Sequence, residues 1–283
     1  VNRRIISQRQ ICVWRYALKF HRFPRVNNPV DLNEKILWLE FNTDISQWAE
    51  LADKYRVRQF VEQRGCADIL IPLQALYDSP DQVDFAALRP PYVMKTNNGC
   101  GSVLLVHDAP TPEQQQQYRA QLTRWFNEPF GYISGEKHYS AIQPKILVED
   151  MLPWDKTKSE SIVDYKFFCF NGRAEVCLTC SDRSIAGHNV TLNFFELPGW
   201  KMRKDWLHPS FQNPLQPERP ERLDEMIQYA ERLAQGFPLV RVDLYLTADG
   251  QIRFGEMTFT SNGGRMRYLS DAALLELGSR VSL

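Results

Sequence analysis

Two carboxylates, Asp243 and Glu256, fall on opposite arms of a predicted hairpin in the stretch LVRVDLYLTADGQIRFGEMT, residues 239–258. Asp243 sits in an apolar run rich in β-branched residues, Ala248-Asp249-Gly250 carries turn chemistry, and the run 252–257 returns with Glu256 near its end. Burying a carboxylate costs roughly several kcal/mol unless a cation or a hydrogen-bond donor compensates it. Two acids on neighbouring strands therefore imply either a divalent metal, with magnesium the ion suited to such oxygen donors, or an ion pair. Arg241, two residues before Asp243 and so on the same strand face, supplies the second option. The hairpin by itself does not choose between them.

A second chemical string lies upstream, where Lys95 closes the strand-like YVMK and TNNGCGS follows, with Gly99 and Gly101. Glycine lets backbone N–H groups approach phosphate oxygens and lysine adds a point charge, so the string suits a polyphosphate. No GKS or GKT follows, so the spacing is not that of a P-loop. A glycine-containing hairpin turn beside a surface lysine would give the same string.

The elements that must hold these groups alternate. A helix is expected over 3–20, a second from the N-cap Asp31 with Glu34 three residues on, and a third over 45–63, ending at Gly65. Short strands follow over 69–76, 92–94 and 103–107, then a helix over 112–126 with proline in its first turn and an irregular segment over 130–143. Strands resume over 145–149, 165–170, 174–180 and 192–195, with Asn171-Gly172 as a type I′ turn. A proline-rich loop over 209–220 leads to a helix over 221–235, the two-acid hairpin and a helical tail from Ser270. Helices mixed with hairpins favour α+β lobes over one doubly wound sheet.

Composition excludes several classes. The 283 residues carry 34 basic and 34 acidic side chains, so no general basic surface for nucleic acid is expected and anion binding must be local. No apolar run approaches the roughly 20 residues of a membrane span and no signal core follows the start, so the chain reads as cytoplasmic. The six cysteines have no regular spacing; Cys177 and Cys180 form a single CxxC inside a strand-like run, which reads as reduced core cysteine and not as a zinc ribbon.

The order of the strings adds more than any one of them. DLNEKILWL, LADKYRVRQFV, YVMKTNNGCGS, KHYSAIQPKILVED, DYKFFCFNG and VDLYLTADGQIRFGEMTF, spread over residues 31–264, resemble the TupA-like ATP-grasp family of bacterial cell-surface polymer biosynthesis. The resemblance implies an α+β ATP-grasp fold with a helical segment (1–66), a small lobe (67–152) and a C-terminal lobe carrying the metal acids (153–283). It implies ATP and Mg2+ as cofactors. Lys54 and Lys95 would meet the ATP phosphates under a lid containing Asn97, Gly99, Gly101 and Ser102. Glu149 would face the adenine amino group, with backbone groups of Asp150, Met151 and Leu152 completing the contacts to the base. Asp164 would bind ribose, with Asp155 a competing choice. Lys166 and Arg183 would serve phosphate, acyl group or reaction centre, Arg241 the developing negative charge, and Asp243 and Glu256 the magnesium. Thr258 stands where the superfamily usually has an asparagine ligand, and Asn262 is a possible substitute.

The activity so implied is that of an ADP-forming carboxylate–amine ligase working through an acyl phosphate. It would join a sugar (uronic) acid of a surface polysaccharide, such as capsule or O-antigen, or of its lipid-linked precursor, to an amino acid or amine. An ATP-dependent kinase or phosphotransferase, or a glycosyltransferase, are the alternatives. Trp200, Trp206 and Phe211 could line a sugar site or pack in the core, and Lys201, Arg203 and Lys204 could meet an anion or face solvent. His138, Tyr139 and His188 read as packing or surface residues.

Overall fold

The computed structural model describes residues 6–157, 159–183, 190–213 and 217–283; His188 lies outside them. The chain opens with α1 (Gln8–Phe20), α2 (Leu32–Asn42), α3 (Ser46–Leu51) and α4 (Val57–Gln63). Ser7 and Asp31 cap α1 and α2, each with a reciprocal bond from the residue three further on, Gln10 and Glu34. The helix expected over 45–63 is thus two helices. Asp53 divides them: its Oδ1 accepts from the backbone N–H of Tyr55 at 2.8 Å and of Arg56 at 3.2 Å. A short acid that bonds its own backbone competes with the helical ladder, and here it leaves Lys54 on the turn between α3 and α4.

Four antiparallel strands, β1 (Leu73–Tyr77), β2 (Tyr92–Thr96), β3 (Val103–Val106) and β4 (Ile146–Asp150), form one sheet in the order β1-β4-β2-β3. Between β3 and β4 come α5 (Pro112–Phe126) and α6 (Phe130–Ser134), so part of the segment expected to be irregular is helical. The core of this sheet joins Tyr92, Met94, Ile146 and Val148 to Leu122 of α5. The second sheet contains β5 (Asp164–Phe170), β6 (Arg173–Ser181), β7 (Thr191–Glu196), β8 (Lys201–Met202), β9 (Leu239–Leu246) and β10 (Ile252–Thr258), ordered β10-β9-β5-β6-β7-β8. Asn171 and Gly172 both have positive φ in the β5–β6 turn, as a type I′ turn requires. Helices α7 (Leu223–Ala234) and α8 (Asp271–Ser279) contribute Leu233 and Leu274 to the core behind it, with Phe167, Val242 and Met257.

One irregularity decides the chemistry. Phe254 pairs with Leu244, but Glu256 pairs with Asp243, so Gly255 is an extra residue in β10. Strict alternation would have put Gly255 opposite Asp243 and turned Glu256 to the other face. A Cβ at Gly255 would come within 3.1 Å of the Asp243 carbonyl oxygen and 3.0 Å of the Tyr245 ring, closer than such contacts normally run, so the bulge suits glycine. All six cysteines are free. Among the described residues no helix is long and apolar enough to cross a membrane.

Candidate active site

The register of β5, β9 and β10 lines up Lys166, Asp243 and Glu256 across one sheet face. The neighbouring row sets Arg241 opposite Thr258, and the row on the other side sets Asp164 opposite Tyr245. Asp243 is 1% exposed, yet it is amply paired. Arg241 donates Nε to its Oδ1 at 2.7 Å and Nη2 to its Oδ2 at 2.8 Å, and the Lys166 ammonium donates to the same Oδ2. Arg241 Nη2 also reaches Glu256 Oε1 and Thr258 Oγ1, each at 3.0 Å, and Nη1 reaches Ser261 Oγ at 3.3 Å. The ion pair anticipated from the sequence is therefore present, and it includes both acids.

This surplus of cations sets the ionisation of the row. Burial by itself would raise the Glu256 carboxyl, but Lys54, Arg241 and Lys166 outweigh it and hold the group down at about 2. Burial likewise opposes the charge on Lys166, and Asp164 and Asp243 reverse that, raising its pKa. Asp164 accepts from Arg183 at 2.8 Å and pushes the Tyr245 phenol well up.

The smaller sheet carries a pair of its own. Lys95 Nζ lies 2.5 Å from Glu149 Oε2, while Arg58 is 3.5 Å from Glu149 Oε1 and donates to the Ile71 carbonyl at 2.9 Å. Lys54 connects the two sides, donating to the Gly99 carbonyl of the glycine loop at 2.5 Å and standing 3.8 Å from Glu256 Oε2. Around the row itself Lys54, Lys166, Arg183 and Arg241 outnumber Asp164, Asp243 and Glu256. Such an excess of cations among partly buried side chains attracts an anion.

Several expected residues do other work. Asn97 is fully buried and anchors the base of the loop: its Oδ1 accepts from Lys145 N at 2.7 Å and its Nδ2 donates to Gln143 O at 3.0 Å. In the rest of the segment expected to form the lid, Gly101 has φ of +80°. At the expected adenine edge, the Asp150 and Met151 N–H groups already donate to the Pro72 and Pro91 carbonyls, at 3.0 and 3.4 Å, so neither is offered to a base in this arrangement. Asp155 turns onto its own loop, accepting from Thr157 N at 2.9 Å and Thr157 Oγ1 at 2.6 Å. In the loop after β10 it is the Ser261 hydroxyl that meets Arg241, whereas Asn262 is exposed and left-handed.

Between β7 and α7 the aromatic residues and Arg203 are structural, whereas Lys201 and Lys204 are exposed. Trp200 stacks on Phe195 at 3.8 Å, and Trp206 is buried, donating to Glu276 at 2.9 Å beneath Arg203. Arg203 is itself paired with Asp205 and Glu276. Phe211 packs edge-on to Tyr268. His138 is buried against Trp48 and Tyr139. Sequence reasoning missed Arg58, Tyr245 and Ser261. Arg58 is one helical turn beyond Lys54 and Tyr245 is two residues beyond Asp243, so the same periodicities that found their neighbours reach them.

Among the described residues no cluster of three or more His, Cys, Asp or Glu side chains is arranged for a metal. The donors nonetheless fit magnesium, which is held by one or two carboxylates together with substrate phosphates. A carboxylate oxygen accepts more than one bond, and among the described residues Glu256 Oε2 has the Lys54 ammonium as its ion-pair partner, at 3.8 Å. Thr258 is more committed, since its hydroxyl donates to Glu256 Oε1 at 3.0 Å and accepts from Arg241.

No curated protein matches the chain. Among solved structures it is similar to N5-carboxyaminoimidazole ribonucleotide synthetase in an ADP complex, at 15% identity and TM-score 0.42, over 80% of this chain and 50% of that one. It is also similar to D-alanine–D-alanine ligase from Helicobacter pylori, at 13% identity and TM-score 0.45, over 88% of this chain and 69% of that one. L-amino acid ligase from Bacillus licheniformis gives 14% identity and TM-score 0.44, over 91% and 56%. The chain thus spans half the length of the first of these. A family model, TupA-like ATPgrasp, matches residues 34–282. With that match extending over nearly all of the sequence read above, the chain belongs to the TupA-like ATP-grasp family and has the ATP-grasp fold.

Proposed function

We propose that this protein is an ATP-dependent carboxylate–amine ligase. The observation that supports this best is the row Lys166–Asp243–Glu256, bound by Arg241 on one side and tied to the glycine loop through Lys54 on the other. It offers carboxylates for a cation and a surplus of fixed positive charge for a triphosphate and a second anion. Lys54 and Lys95 hold the phosphates, Glu149 accepts from the adenine amino group, and Asp164 holds the ribose. Magnesium, held by Asp243 and Glu256 with Thr258 beside them, would spread the charge of the phosphates.

The substrate carboxylate oxygen attacks the γ-phosphorus, the bond to the β-phosphate oxygen breaks, and ADP leaves. The amine nitrogen then attacks the acyl carbon, inorganic phosphate departs with the C–O electron pair, and the nitrogen loses a proton. Negative charge builds on the acyl oxygen in this second step. Arg241 and Lys166, already fixed by Asp243, stabilise that charge without reorganising, and Arg183 guards the open side. In this reading the acceptor is a sugar acid of a surface polysaccharide or its lipid-linked precursor, the donor is an amino acid or small amine, and ATP places the reaction in the cytoplasm.

The test supplies ATP, magnesium, uronic-acid-bearing acceptors and hydroxylamine. A ligase of this kind yields ADP, phosphate and the acceptor hydroxamate in equal amounts. A stable phosphorylated sugar without hydroxamate would identify a kinase instead, and sugar transfer from a sugar nucleotide would identify a glycosyltransferase.

A further inference from the structure

A cavity of about 830 Å³ opens beside the glycine loop, between the start of α1, the end of α5, α6 and the turn over residues 137–141. Its size falls in the range of ligand pockets, roughly 300–1,000 Å³. Phe130, Tyr132 and Tyr139 present ring surface to it, and Gln8, Ser140 and Gln143 present amide and hydroxyl groups. Among the described lining residues there is no lysine or arginine, and Glu128 is the one charged side chain. This is the reverse of the cation-rich row next door. An anion would find nothing to pair with here, whereas rings with one apolar face and a hydroxylated edge would stack on the aromatics and bond the amides.

The walls are built. Gln8 Nε2 donates to the Gly131 carbonyl at 3.1 Å and to Ser140 Oγ at 2.6 Å, pinning α1 across α6 and the following turn. A Cβ at Gly131 would fall 2.4 Å from the Ser140 backbone nitrogen, so the two walls touch at a residue without a side chain. The cavity also shares a wall with the ligase centre. Asn98 of the glycine loop lines it, and the site of a Cβ on Gly99 lies 3.4 Å from the Phe130 ring, while the Gly99 carbonyl accepts from Lys54 on the other side. Tyr139 packs edge-on to Phe130 at 5.1 Å. Through Phe130, Tyr139 thus adjoins the glycine loop whose Gly99 carbonyl meets Lys54.

We propose that this cavity binds the uncharged sugar rings of the acceptor, stacked on Phe130 and Tyr132 and hydrogen-bonded by Gln8, Ser140 and Gln143, so that an attached carboxylate extends past Tyr139 to the cationic row. The assignment deepens the ligase reading and rests on it for the carboxylate, but the sugar site can be tested without turnover. The probes are uncharged di- and trisaccharides of hexoses and N-acetylhexosamines, and the same sugars ending in a uronic acid. Each is presented to the full chain without nucleotide and observed by saturation-transfer NMR. Transfer to ring protons of at least one uncharged sugar is expected. The double variant Tyr132→Ala, Gln143→Ala, both exposed residues, should weaken that sugar at least tenfold and leave the melting shift with ATP and magnesium unchanged. Absence of transfer from every probe overturns the assignment. So does binding that survives the double variant, or displacement of the sugar by free amino acids, which would make the cavity the amine site. Sugar binding that depends on Tyr132 while no hydroxamate ever forms supports the cavity and overturns the ligase reading.

Discussion

Two buried polar regions of this protein sit close together and are satisfied in opposite ways. On the strand face of β5, β9 and β10 each of the three carboxylates meets two cations: Asp164 meets Lys166 and Arg183, Asp243 meets Arg241 and Lys166, and Glu256 meets Arg241 and Lys54. Behind α2 and the turn over 137–141, Glu40 has one oxygen bonded to Lys137 N at 2.8 Å, and among the described residues its other oxygen and both ring nitrogens of His138 have no hydrogen-bond partner. Similar burial therefore gives contrary ionisation. Glu256 is held down at about 2 because burial is outweighed by Lys54, Arg241 and Lys166. Glu40 is pushed up to about 7 by burial, with Glu136 adding to it, and His138 is pushed down to about 3 by burial alone. Charge is kept where cations surround the buried acid and suppressed where burial goes uncompensated.

The sharpest break of this contrast is Asp243→Asn. It leaves Arg241 and Lys166 buried without their shared acid, and loss of one partner of a buried pair costs about 3–5 kcal/mol. The variant should melt far below wild type and lose ligase turnover by at least about a hundredfold, as chemical denaturation and hydroxamate formation would report. Wild-type stability would mean that the cations find other partners. Glu256→Gln should also lose about a hundredfold in turnover but stay closer to wild type in melting, because Glu256 is half-buried and Asp243 still holds Arg241.

Lys54→Met probes the link between the row and the loop. It removes the donor to Gly99 and the cation near Glu256, so the melting shift given by ATP with magnesium should shrink. A tenfold weaker nucleotide lowers the ligand-induced stabilisation by about 1.4 kcal/mol at saturating concentrations. An unchanged shift would place Lys54 outside the phosphate site.

Glu40→Gln tests the under-satisfied region. The folded carboxyl titrates near 7 against an ordinary 4.5, so the folded state holds its proton more tightly than the unfolded one. Stability is then greatest below about 4.5 and falls as pH rises towards 7, by roughly 1–3 kcal/mol from this group. Glutamine should flatten that fall when unfolding is followed from pH 5 to 8. Should the wild-type and Glu40→Gln curves run parallel, Glu40 is ionised in the fold.

How far the sequence reaches also differs between the regions. Lys95, Arg241 and Asp243 were legible because period-two alternation and a polar residue in an apolar run are local signals, and the structure puts them where alternation does. The pairing of Glu256 with Asp243 was not, since it depends on the Gly255 bulge, and a glycine in a strand does not say which way the register slips. The break at Asp53 was missed because the apolar spacing runs through it; only the acid's bonds to Tyr55 and Arg56 end the helix. Glu40 and His138 give no signal at all, because their burial comes from contacts between α2 and the turn nearly a hundred residues later. Trp200 and Trp206 were ambiguous for the same reason; Trp206 packs on Phe194 in the core and Trp200 stacks on Phe195 at its edge.

The smallest effect belongs to Thr258, and it decides how the comparison ends at the edge of the charged row. The hydroxyl donates to Glu256 Oε1 and accepts from Arg241 Nη2, both at 3.0 Å, so it orients a carboxylate that two lysines and an arginine already hold. Deleting it in Thr258→Ala removes hydrogen bonds to charged groups, worth roughly 1.5–3 kcal/mol where nothing replaces them. Here Glu256 keeps Arg241, so loss at the low end or below is expected, with turnover reduced only a few-fold. Magnesium dependence discriminates the roles. If Thr258 only orients Glu256, the magnesium concentration for half-maximal turnover moves little in Thr258→Ala, and Thr258→Asn, which brings an amide oxygen to the same place, changes it no further. If the hydroxyl is itself a ligand, alanine raises that concentration at least tenfold and asparagine restores it. The present bonds of Thr258 are both spent within the row, and that favours the first outcome.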